Sequence, residues 1–120
     1  WFKSSQEVVA AVEAHRLGYQ HAVIIDPGIM FLFQYGVYTR TDPALVSAAW
    51  NSPWPKRIGQ VEFWERCPTT PTHTFDPRTD LLPSTVYAVR PECYNKDAPV
   101  AVIRDLGEPL RAIWNVYVRD

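Results

Sequence analysis

The chain has 120 residues, of which 47% are hydrophobic, 13% aromatic and 21% charged, enough for one domain with a modest core and excluding a disordered or low-complexity chain. Its 12 Lys and Arg are scattered singly among 13 Asp and Glu, for a net charge of −1, which excludes the basic stripe of a nucleic-acid surface. No apolar run approaches the roughly 20 residues needed to span a bilayer, and the longest, such as "GIMFLF", are strand-sized.

Residues 1–120 read as a single domain. Ser4 and Glu7 have capping-box spacing ahead of a helix over "EVVAAVEAHRL", with Val8, Ala11 and Val12 as its apolar stripe and Gly18 as its stop. "HAVIID" (21–26) predicts a buried strand closed by the turn "DPG". "IMFLFQYGVY" (29–38) predicts a second extended segment, with Gly36 as a bend. "TDPALVSAAW" predicts a short helix capped by Thr41 or Asp42 with Pro43 in its first turn, and "NSPWPK" breaks it.

"QVEFWERC" (60–67) predicts a strand with Val61 and Phe63 on one face and Gln60, Glu62 and Arg66 on the other. Residues 68–83 are Pro-rich and aperiodic, a loop long enough to be functional or mobile. "STVYAVR", "PVAVIRDL" and "PLRAIWNVYV" are β-branched and aromatic strands. In the last, Leu110, Ala112, Trp114, Val116 and Val118 share a face, and "DLGEP" precedes it as a hairpin turn. These elements predict an α+β fold: one compact domain in which an N-terminal helix and a short second helix pack on an antiparallel β-sheet.

Cys67 and Cys93 stand at the ends of two predicted strands. A bond between them would close a loop of roughly 25 residues and stabilise the fold by about 3 kcal/mol; the alternative is two separate buried thiols. Neither cysteine has zinc-site spacing, so no metal is expected. Five Trp and eleven Pro suit a rigid secreted or surface domain. The chain opens on Trp1, which predicts that a leading segment has been removed or that the sequence is a piece of something longer.

The chain carries no nucleophile-elbow, zincin, phosphate-loop or dinucleotide motif. Chemistry must then come from constellations, and the first is Gln60-Val61-Glu62. Residues i and i+2 of a strand share a face about 7 Å apart. A carboxylate there could hold a sugar hydroxyl or steady an oxocarbenium ion while the amide orients the attacking group. The plain alternative is the polar side of an ordinary strand.

Order along the chain adds to this motif. "FKSS", the helix "QEVVAAVEAHRLG", "YQHAVIIDPGIMF" and "SPWPKRIGQVEFWERCP" follow one another over residues 2–68. This order resembles the second half of the mono-ADP-ribosyltransferase toxins of the cholera and pertussis type. There, a Ser-Thr-Ser strand end leads through a helix and a buried strand to a Gln/Glu-x-Glu strand. The resemblance implies NAD as substrate, Glu62 as the catalytic glutamate and Gln60 as the residue that chooses the acceptor. It implies Ser4 or Ser5 as the serine that supports the glutamate in the NAD site. The family's arginine precedes its serine motif, whereas Arg40 in "VYTRTDP" follows the serines here.

Two further constellations stand beside it. His73, Asp76, Arg78 and Asp80 in "THTFDPRTD" combine a neutral-pH acid–base group with carboxylates and a cation, as a small secreted ribonuclease would need, although Asp-Pro is also ordinary turn chemistry. Trp54, between two prolines, is poorly placed for a regular core element and suits a partner-binding surface. The sequence thus supports a secreted effector or toxin-type domain with an ADP-ribosyltransferase-like scaffold, active or not. Its alternative is a non-catalytic secreted module that binds a protein partner through loop 68–83 and exposed aromatics.

Overall fold

The structure is a computed structural model that describes residues 2–104, 107 and 111–120. In chain order the described elements are α1 (Phe2–His15), β1 (His21–Ile25), α2 (Phe31–Thr39), α3 (Pro43–Trp50), β2 (Lys56–Ile58), β3 (Val61–Trp64), α4 (Pro77–Asp80), β4 (Thr85–Val89), β5 (Ala101–Arg104) and β6 (Ala112–Arg119). The α+β class holds, and the strands form one sheet of order β2-β3-β1-β4-β6-β5.

The sheet is mixed rather than antiparallel. β1 pairs in parallel with both β3 and β4, setting Val23 beside Glu62 on one side and beside Tyr87 on the other. The remaining pairs, β2 with β3, β4 with β6 and β5 with β6, are antiparallel. Parallel neighbours need a crossover of a dozen or more residues. The α2–α3 segment and the edge strand β2 lie between β1 and β3, and residues 65–84 then carry the chain from β3 past β1 to β4.

Alternating side chains make two cores. Ala22, Ile24, Val61, Phe63, Val86, Ala88, Trp114 and Val116 face one side, where Val8, Val9 and Val12 of α1, Phe31, Leu32 and Tyr35 of α2, and Val46 and Ala49 of α3 cover them. Val23, Ile25, Tyr87, Val89 and Tyr117 face the other, beneath Phe75 and Leu81 of the 68–83 segment. The Cα radius of gyration is 13.7 Å, against the roughly 14 Å expected of one compact body of this length. The Cys67–Cys93 disulfide, with Cα atoms 5.8 Å apart, ties the chain after β3 to the chain after β4 on this second face.

Three elements differ from the sequence reading. Residues 31–39 are helical, not extended. A short run that is apolar on every side has no period to separate strand from helix, and burial of Phe31, Leu32, Tyr35 and Gly36 follows helical spacing. The α1 helix already runs from Phe2, so Ser4 and Ser5 lie inside it and do not cap it.

Third, Lys56–Ile58 forms the edge strand β2, joined to β3 by the two-residue turn Gly59–Gln60. Gly59 has φ +61°, the left-handed conformation that such turns require. The chain before β2 is held by Lys56, which is buried although charged. Its Nζ donates to the carbonyls of Ala49 (3.1 Å), Trp50 (3.0 Å) and Ser52, gathering carbonyls at and just after the end of α3, where helix carbonyls lack intrahelical partners. The turn expected over residues 105–109 and the start of the last strand at Leu110 lie, Gly107 apart, outside the described residues.

Candidate functional site

Glu62 stands on β3 with its side chain on the second face of the sheet, between the inward-facing Val61 and Phe63. Both of its carboxylate oxygens are engaged: Oε1 accepts from Trp64 Nε1 at 2.6 Å and Oε2 from Arg57 Nη2 at 2.7 Å. Arg57 is its cross-strand partner on β2. Gln60 is not on the strand with Glu62 but in the exposed turn before it. Both residues border a cleft of about 250 Å³, together with His21, Asp80 and Thr85. Each oxygen keeps a further lone pair, so the two donors hold the carboxylate in place without filling it.

The serines do not join this cluster. Ser5 is buried on α1, one turn before Val8 and Val9, and α1 covers the opposite face of the sheet. The sheet therefore lies between Ser5 and Glu62. Trp54 is half-buried against the helix-side core, with the Lys56 ammonium 5.0 Å from its ring centre. Loop 68–83 is a packed cover over the second core, with Phe75, Pro77 and Leu81 buried. Within it His73 Nε2 lies 2.8 and 3.0 Å from the two Asp80 oxygens, and Asp80 Oδ2 accepts from the Asp76 N–H at 2.8 Å. Asp76 in turn accepts from the Arg78 N–H at 3.0 Å at the head of α4, so these polar groups close the loop on itself.

A larger cleft of about 650 Å³ opens between α1, the α2–α3 junction and the β2–β3 turn, within the range of small-molecule sites. At its side Glu13 accepts from the Tyr35 hydroxyl at 2.8 Å and pairs with Arg16 at 2.5 Å. Burial, then the bond to Glu13, pushes the Tyr35 hydroxyl well above the usual tyrosine range. Gln60 borders this cleft too, which makes the hairpin tip a divider between two cavities.

The most unusual surface lies on the outer side of the helix layer. Between Asp26 and Lys56 the only charged residues are Arg40 and Asp42, and neither α2 nor α3 contains one. Helices of this kind show a polar face to solvent when nothing covers them. Here Phe33 is 43% and Val37 73% exposed. The Phe33 and Trp50 rings pack with centres 4.6 Å apart. They wall an apolar groove of about 410 Å³ whose floor is Gly36 and Val46 and whose mouth carries Arg40. Comparison with protein-family models, with curated proteins and with solved structures finds no match to this chain.

Proposed function

We propose that this domain is a non-catalytic, secreted protein-interaction module, and that it receives an apolar segment of a protein partner in the α2–α3 groove. The observation that carries this reading is the uncharged outer face of α2 and α3, with Phe33, Val37 and Trp50 bordering one concave surface. A preformed aromatic pocket ringed by polar groups is the surface that gives binding hot spots, and a groove between two helices suits a helix or loop with one or two large apolar anchors.

A lipid surface fits less well. Helices that lie in a membrane interface carry Lys and Arg along their polar side, and among the described residues lining this groove Arg40 is the one cation. The Cys67–Cys93 bond supports a secreted setting, because disulfides persist in oxidising compartments. This reading assigns no NAD and no catalytic role to Gln60, Glu62, Ser4 or Ser5, and it moves the partner surface from loop 68–83 and Trp54 to α2 and α3.

The test is a photo-crosslinking residue placed at Val37, with Leu17 as control. Leu17 is 82% exposed and does not line the groove. In the producing cells, position 37 should yield one discrete protein adduct that Phe33→Ser removes, and position 17 should yield none. Equal adducts at both positions, an adduct of the chain with itself, or lipid adducts alone would overturn the proposal.

A further inference from the structure

A second site, independent of the docking groove, sits where the two central parallel strands end. From the carboxyl end of β1 the chain turns towards β2 and β3, whereas from that of β4 it runs towards β5. Where neighbouring connections leave in opposite directions, a crevice opens beyond the strand ends, the place where open sheets with parallel strands bind ligands. This domain has a cavity of about 420 Å³ there, bordered by Asp26 and Gly28 after β1, Arg90 and Glu92 after β4, and Arg111 before β6.

The groups around it are unusual in three ways. The Arg90 guanidinium carbon lies over the Trp114 ring, 4.0 Å from its centre, a cation–π contact that covers one side of the group. Among the described residues it makes no hydrogen bond and no close ion pair. A partly buried guanidinium with its fork of donors uncommitted is costly unless an acceptor arrives. Burial pulls the Arg90 pKa down more than Asp26 and Glu92 together push it up, so the nearby carboxylates do not offset its desolvation.

The backbone beside it is also irregular. Asp26 has φ +58° and Gly28 φ +84°, and left-handed non-glycine residues concentrate at functional turns. A Cβ at Gly28 would meet nothing within 4 Å, so the main chain there borders open space.

From these observations we infer that the crevice beyond β1 and β4 binds a small acidic molecule, its carboxylate or phosphate on the Arg90 fork and its hydroxyl or ammonium groups on Asp26 and Glu92. A guanidinium offers two parallel donors to either oxyanion. The two carboxylates in the lining explain why a bare anion is insufficient: each repels it, and each is met by a ligand that carries donors beside its charge. The contact with Trp114 restrains the side chain before a ligand arrives, which lowers the entropy lost on binding.

The experiment is a titration followed by NMR with glycerate and with glycerol phosphate, using glycerol and inorganic phosphate as controls. The two acidic polyols separate a carboxylate ligand from a phosphate one, since the better binder names the oxyanion. At least one should shift the Arg90 Nε–H and the Gly28 amide saturably, at concentrations where both controls bind about tenfold more weakly. Arg90→Lys keeps the charge and the stem but loses the fork, and should weaken that binding about tenfold or more. Glu92→Gln, at an exposed position that leaves the fold intact, should bring the affinities for the acidic polyol and inorganic phosphate closer together. The inference is overturned if neither acidic polyol saturates, if glycerol or inorganic phosphate binds as well, or if Arg90→Lys binds unchanged.

Discussion

Gly36 and Val46 touch where α2 meets α3, so closely that a Cβ on Gly36 would lie 2.5 Å from Val46 Cγ2. Two magnitudes compete in the variant Gly36→Ala. Alanine is better than glycine in a helix by about 1 kcal/mol, while forcing a methyl into a packed contact costs about 1–3 kcal/mol. Val46 is buried and cannot swing away, so overpacking wins. Gly36→Ala should lower the urea midpoint with an unchanged slope. Gly36→Ala with Val46→Ala should be more stable than the two single effects added together. Simple additivity would mean that the helices separate freely at this point.

Tyrosines give the fold an alkaline limit. Burial raises the Tyr35 and Tyr87 hydroxyls far above their ordinary value, and Tyr94, which also donates to Asp97 at 2.6 Å, is pushed up to about 12. In the unfolded chain each titrates near pH 10. A pKa raised by folding contributes stability that is complete below the unfolded value and is lost as pH climbs towards the folded one. Unfolding free energy should therefore be flat up to about pH 9. Above about pH 10 it should fall by about 1.4 kcal/mol per pH unit for each of Tyr35 and Tyr87. Urea titrations from pH 8 to 12 measure it, and Tyr35→Phe should make the fall shallower.

Glu62 separates the toxin-like expectation from the interaction module. If the glutamate only ties Arg57 and Trp64 together, Glu62→Ala should cost about 1 kcal/mol, as a partly exposed ion pair and one indole hydrogen bond would. It should also shift the Trp64 fluorescence, because the indole N–H loses its acceptor. Wild type and variant should be equally inert towards NAD. Turnover by the wild type that drops by about 10² or more in Glu62→Ala would instead make Glu62 catalytic.

Much of the architecture could be read before the structure, and the failures share a physical cause. β1 and β4 are β-branched and almost wholly buried, and the cysteines fall just beyond strand ends, so both features were visible locally. The parallel pairing was not, because nothing in "HAVII" states which neighbours it takes. An extended 29–38 hides the uncharged outer face of the helix layer, because a strand sends alternate side chains to opposite faces. The signal was present in the span with only Arg40 and Asp42 charged between Asp26 and Lys56. Nothing in the sequence pairs Arg57 with Glu62, because β2 is three residues long and a strand that short shows no alternation.

Loop 68–83 should behave as core, not as a binding surface. Phe75 is 2% exposed and packs edge-on against Trp64, Tyr87 and Tyr94. Phe75→Ala should cost about 3–5 kcal/mol, and reduction of Cys67–Cys93 about 3 kcal/mol. The two losses should not add, since both loosen the same cover. Hydrogen exchange should locate the change in residues 68–83 and β4 while α2 and α3 stay protected, because the sheet separates the two layers. The adduct at Val37 should then persist in Phe75→Ala well below its unfolding temperature. Its loss under those conditions would place the partner on the disulfide-bearing face instead.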